Sequence, residues 1–247
     1  MESRDKIIHY INELLNIEAF DDYGPQGLQV EGKSSVSKVV TAVSASLELF
    51  QRAHQQEADM IIVHHGILWD KDSRVVKGFL KKRLVALLAK DISLLAYHLP
   101  LDAHQMLGNN AIAALAFGIL NPDTFADVGM WGKFGDPYES EVVFEKVKTL
   151  YESEPLIYPY GPPEIRTIGI CSGCGQNQLK DAIEMGLDCY VTGESSEFVM
   201  HLAKENKIHY IAAGHYATER LGIRTLGEQL AQEFEIEVEF IDIPNPV

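Results

Sequence analysis

Two histidines stand side by side at the end of the apolar run DMIIVHHG, as His64 and His65, and two more close later runs: His98 ends SLLAYH and His215 ends IHYIAAGH. Four residues beyond each of the later pair comes a carboxylate, Asp102 after His98 and Glu219 after His215. Neutral imidazole nitrogen binds zinc, iron and related metals, and carboxylates add the charge that raises affinity. The set is an inventory for a metal centre. Adjacent residues of a regular strand face opposite ways, so the backbone is expected to turn at the last residues of the run, letting His64 and His65 approach different ions. The H-x-x-x-E spacing alone says little, since on a helix it merely puts both residues on one face. His9, His54, His104, His201 and His209 lack such company and read as surface or satisfied core residues.

Other chemistry is poorly supplied. Cys171 and Cys174 form a CSGC spacing with no second pair to complete a zinc site, and they lie in a glycine-bearing turn where small residues pack. The following GCGQN is similar to a phosphate-cradling turn but lacks the lysine and the full glycine pattern of a P-loop. No G-x-S-x-G elbow is present, so acyl transfer through a serine has no support.

The elements that must position these residues alternate. An amphipathic helix over residues 4 to 15 leads through DDYGPQG to a short strand, GLQV. KVVTAVSAS then reads as a strand, LELFQRAHQQEA as a helix, MIIV as a strand, KKRLVALLAKD as a helix and SLLAYH as a strand. The later half repeats the order with TIGICSG, NQLKDAIEMG, CYV, EFVMHLAKEN and IHYIAAGH. Laid side by side, HHG falls opposite TGE, and LAKDISLLAYH opposite LAKENKIHYIAAGH. The expectation is an α/β protein of two similar lobes, each with a mostly parallel or mixed sheet covered by helices. In such sheets ligands gather at the carboxyl ends of strands, where all four histidines fall.

The segment FADVGMWGKFGDPYESE, rich in glycine and aromatics, reads as a linker, with VVFEKVKTLYE a helix and YPYGPPE a connection. This sets the first lobe at residues 1–125 and the second at 126–247, with the C-terminal segment available to pack on the first. Hydrophobic residues make up 46% of 247 and charged ones 23%, enough for substantial cores. The net charge of −15 repels nucleic acid and anionic lipid. Charges interrupt the opening MESRDKIIHYINELL, and no run reaches the roughly 18 apolar residues of a membrane span. With three cysteines and no disulfide framework, a reducing cytoplasm is the expected compartment.

With HHG, HLPLD and GHYATE in view, the sequence resembles the Nif-three-like dinuclear metal-binding family, the type II homologues of GTP cyclohydrolase I, in its compact bacterial form without an inserted domain. GLQVEG, IIVHHGILW, AYHLPLDAHQMLGNNA, GICSGCGQ, YVTGESSE and AAGHYATERLGIRTLGEQL carry the resemblance across nearly the whole chain. It implies two divalent ions in a cleft between lobes, held by His64, His65, Asp102, His215 and Glu219, with iron or zinc first and manganese or nickel as alternatives. It implies that His98 and Glu194 act nearby, on the substrate side or behind the ligands. It also implies a toroidal homohexamer, and hydrolysis of a nucleotide-like small molecule through water attack on the ring. The alternative is a ring that binds metal for delivery, or organises partners, without turnover. Cys174 departs from the pattern, standing where relatives commonly have glycine, which raises the question of a positive φ in that loop.

Overall fold

The computed structural model describes residues 1–247. The chain forms two compact units, one of Met1–Leu101 with Ile223–Ile243 and the other of Asp102–Gly222 with Pro244–Val247. This is not the linear division near residue 125. The chain passes to the second unit at the helical turn Leu99–Asp102, and the C-terminal strand Glu237–Phe240 returns to the first, where it pairs in parallel with residues 38–41. Pairing of distant segments leaves no mark in composition.

The first unit holds a five-stranded sheet ordered Glu237–Phe240, Lys38–Ser44, Met60–His65, Ser93–Ala96, Gly27–Val30, with only the last strand antiparallel to its neighbour. Helices Leu47–Gln55 and Gly78–Leu88 supply the crossovers that parallel pairing requires. Ser46 caps the first of them, its hydroxyl accepting from Leu49 N at 3.1 Å. Val40, Ala42, Ile61, Val63 and Leu94 meet Leu49, Phe50 and Leu87 in one core.

The second unit repeats the central plan. Glu164–Cys171, Cys189–Thr192 and His209–Ala212 run parallel, and the strand Leu156–Pro159 lies antiparallel beside the third, as Gly27–Val30 does in the first unit. Side chains alternate along its strands: Cys189, Val191 and Ile211 enter one core with Val143 and Val147, whereas Tyr190 and Tyr210 enter another with Leu179 and Val199. An aspartate locks each repeat in the same way. Asp59 precedes its strand, accepts from Ser37 N at 2.9 Å through its carboxylate and from Ser93 N at 3.0 Å through its carbonyl. Asp188 does likewise with Thr167 N at 2.9 Å and His209 N at 3.0 Å. In both units a single residue therefore ties three parallel strands together near where their pairing begins.

The expected linker is instead sheet. Asp123–Phe125 and Gly129–Glu139 pair antiparallel, and the second strand continues onto Glu164–Cys171; the expected connection YPYGPPE begins inside the strand Leu156–Pro159. The glycines misled because they answer to packing. A Cβ on Gly132 would sit 2.4 Å from Ile119 Cγ2, so a strand must carry glycine there.

Candidate metal centre

In the first unit the carboxyl ends of two neighbouring parallel strands, Met60–His65 and Ser93–Ala96, gather His64, His65 and His98. The expected turn of backbone is absent, since Met60–His65 remains a strand through both histidines and His65 is paired with Ser44. The two rings nevertheless lie 4.7 Å apart between centroids, and His98 stands 5.0 Å from His64 and 5.4 Å from His65. One ring nitrogen from each of the three lies within 4.8 Å of the others, close enough to hold an ion.

Each ring is fixed from behind. His64 is fully buried, and its Nδ1 donates to the carbonyl of Tyr97 at 2.9 Å. A carbonyl can only accept, so the lone pair is left on Nε2, the nitrogen a metal would take. Ser44 Oγ and His65 Nδ1 share a hydrogen bond of 3.0 Å. His98 Nδ1 donates to Asp22 Oδ1 at 2.8 Å, while Asp22 Oδ2 accepts from Leu99 N at 2.8 Å. Burial would raise Asp22, but its bonds to His98, Tyr23 and Leu99 outweigh it and hold the carboxyl below its ordinary value. Gln29 Oε1 accepts from Ile67 N at 2.8 Å and so pins the chain just past HHG.

The second unit assembles Asp102, Glu194, His215 and Glu219. Asp102 is buried, its Oδ1 accepting from Asn109 Nδ2 at 2.7 Å and Ser172 Oγ at 3.0 Å. His215 opens the short helix His215–Thr218, whose turn brings its Nε2 to 3.1 Å from Glu219 Oε2. Its Nδ1 donates to Glu194 Oε1 at 2.6 Å, and Glu194 is held by its own carbonyl, which accepts from the Tyr210 hydroxyl. Burial would lower His215, but Glu219 and Glu194 outweigh it and raise the ring to about 9. Nitrogen and oxygen donors thus face one another in the combination that divalent transition metals accept, and the Nε2 and Oε2 now joined by a proton are the atoms a cation would use.

The loop GICSGCG shapes this cluster through Gly173, at φ 66°, where a Cβ would lie 2.2 Å from Glu219 Oε1. Cys174 takes no positive φ, so its departure from the family pattern leaves the loop conformation intact. Cys171 is buried, and that burial pushes its thiol up to about 12, which removes the thiolate a metal or redox role needs. The GCGQN turn is no phosphate cradle: Gly175 N donates to Thr192 Oγ1 at 3.1 Å and Gly175 O accepts from the Tyr190 hydroxyl at 2.6 Å. His209 is a satisfied core histidine, donating from Nε2 to Pro162 O at 2.6 Å.

Sequence reading missed the supporting groups: Asp22 and Ser44 behind the rings, Asn109 and Ser172 behind the Asp102 carboxylate, and Gln29 on the backbone past HHG. DDYGPQG looked like a turn, and only the pairing of its aspartate with a distant histidine gives it a role.

Two α/β repeats, each closing its parallel strands on a histidine-bearing cluster with fixed ring orientations, define an α/β protein that carries groups able to hold a metal ion. Residues 2–246 match the family Duf34/NIF3 (NGG1p interacting factor 3), and the chain belongs to it. A Yersinia pestis protein named GTP cyclohydrolase 1 type 2 homolog is 45% identical over 96% of both chains. A Haemophilus influenzae protein of the same name is 44% identical, also over 96% of both. Among solved structures, the protein ybgI, described as of unknown function, superposes with a TM-score of 0.95 at 42% identity over 100% of both chains. A Thermus thermophilus protein gives 0.93 at 36% identity over 100% of both. No helix of the chain is long and apolar enough to cross a membrane.

Proposed function

We propose that the chain holds two divalent metal ions on His64, His65, Asp102, His215 and Glu219 and hydrolyses a small, nucleotide-like molecule with them. One observation carries the reading. All four candidate rings have Nδ1 committed, His64 to Tyr97, His65 to Ser44, His98 to Asp22 and His215 to Glu194, which leaves Nε2 as the nitrogen in common. Metal-binding histidines are commonly oriented by such a bond from the other ring nitrogen. Iron or zinc suits the mixed donors first, then manganese or nickel. Ions in such a setting lower the pKa of a bound water and supply a nucleophile at neutral pH.

The chain's own groups would handle the protons. His98 gives or takes one at Nε2, with Asp22 holding the ring at Nδ1. Glu194 holds the ring of His215 in place. The relatives' name makes GTP the first substrate to try, with formate as the released product. Six chains in a ring, working in the cytoplasm, complete the reading, and mass measurement in solution checks the count.

The test is turnover by protein loaded in turn with iron, zinc, manganese and nickel against GTP, other cyclic amides and phosphoesters. Product release that His98→Gln cuts at least about 100-fold, with ions retained, supports the reading. Two bound, readily exchanged ions without turnover across the panel would replace it with metal delivery or a scaffold.

A further inference from the structure

The helix Gly78–Leu88 turns cations and apolar side chains outward together. Leu80, Leu84 and Leu87 pack on the first core, which leaves Lys81, Val85 and Leu88 on one exposed stripe at i, i+4 and i+7, with the exposed Lys82 three residues before Val85. Val85 is 55% exposed and Leu88 60%, and Phe79 is 67% exposed beneath the guanidinium of Arg83. Of the chain's fourteen exposed large hydrophobics, five fall in this one stretch: Val75, Val76, Phe79, Val85 and Leu88. Single apolar residues are ordinary on a surface, whereas a cluster marks a contact.

Charge sets the stretch apart as well. Residues 71–90 carry seven of the chain's 21 Lys and Arg against one acid, Asp72, in a chain of net charge −15. No acid of the chain pairs with Lys81 or Lys82. The helix starts without a side-chain cap and without an acid in its first turn, so its cations crowd the positive end of its dipole. A carboxylate from outside relieves both.

Beside the helix lies a cavity of about 280 Å³, which Leu80 and Leu84 line together with Ile67, Leu68, Trp69 and Val76. Arg74, Asp70 and Asp72 supply its polar lining. The two aspartates oppose a carboxylate there, so the cavity suits an apolar side chain.

We propose that this face docks a short acidic segment of another protein, its carboxylates on Lys81 and Lys82 and one large apolar side chain anchored in the cavity. A few anchors seated in pockets carry most of the energy of such a contact, and the charges around them select the partner. Nucleic acid would use the cations and leave Val85, Leu88 and the cavity idle. A bilayer of anionic lipid is an extended negative plane that would also meet the acidic remainder of the chain, whereas a short segment lies within a Debye length of the helix alone. The inference goes beyond the metal reading and does not rest on it, because none of these side chains is a candidate ligand.

The experiment uses full-length protein and a fluorescein-labelled synthetic peptide with phenylalanine and leucine at i, i+3, i+4 and i+7 and glutamate between them. Fluorescence anisotropy should show saturable binding that weakens as salt rises. Lys81→Glu with Lys82→Glu, and Val85→Ser with Leu88→Ser, should each raise the Kd about tenfold or more. Lys180→Glu with Lys204→Glu, the same charge change at exposed positions of the second unit, should leave it nearly unchanged. Melting temperatures should hold in all three, since the side chains are exposed, and this separates lost docking from lost folding. A peptide with serine at its apolar positions should bind about tenfold more weakly. No binding, or a Kd indifferent to both substitutions on the helix, overturns the proposal. So does a serine peptide that binds as tightly, which is charge attraction alone. Sedimentation with phosphatidylglycerol vesicles and no response to the peptide would give the face to a lipid surface. A smaller particle mass for the Val85→Ser, Leu88→Ser protein would give it to a second copy of the chain, and either result overturns the proposal too.

Discussion

At the residue scale, what distinguishes the candidate centre is the support behind its donors. The histidines and carboxylates were legible from the sequence because their types and strand-end positions are local. Their partners were not, because Asp22 is 76 residues from His98 and Ser172 is 70 from Asp102. Asp22→Asn keeps the shape but removes the charge behind His98; metal affinity or turnover should fall about 10–100-fold, checked by competition with a chelator and by initial rates. Gly173→Ala tests the loop against Glu219. The added Cβ meets a carboxylate oxygen at 2.2 Å and demands a left-handed alanine. The backbone alone should cost about 1–2 kcal/mol, and metal bound per chain should fall with the displaced Glu219. Unchanged metal content and melting temperature would show that the loop does not shape the cluster.

At the element scale, the alternation of strands and helices in the two repeats was readable because crossover helices separate short apolar runs. The strand Gly129–Glu139 was not, since its glycines meet packing demands that only neighbouring strands reveal. Asp59 ties the parallel strands of the first unit together, and its pKa has a consequence for pH. Burial would raise it, but Lys33 and the amides of Ser37 and Lys38 outweigh that and hold it below its ordinary value. A carboxyl lowered on folding stabilises the native state above its unfolded pKa, and this contribution is lost as pH falls through the folded value. Asp59→Asn should therefore lower the melting temperature at pH 7, with the gap to wild type closing below about pH 4. A gap that persists at pH 2 would assign the loss to shape alone.

At the scale of the whole molecule, the chain ends by completing its first sheet. Glu237–Phe240 covers the edge of Lys38–Ser44, Lys38 Nζ meets Glu237 at 2.6 Å, and Ile241 is buried. Deleting residues 235–247 should expose that edge and sharply reduce soluble yield and melting temperature; a truncated protein as stable as wild type would contradict the topology. The central claim, that the chain is a dinuclear metal protein, has a more direct test. Metal content of untagged protein is measured by mass spectrometry, for wild type and for His64→Ala and Glu219→Ala at matched folding. Two ions per chain in wild type, reduced in both variants, is the predicted result. A wild-type chain that holds no metal even after reconstitution would contradict it.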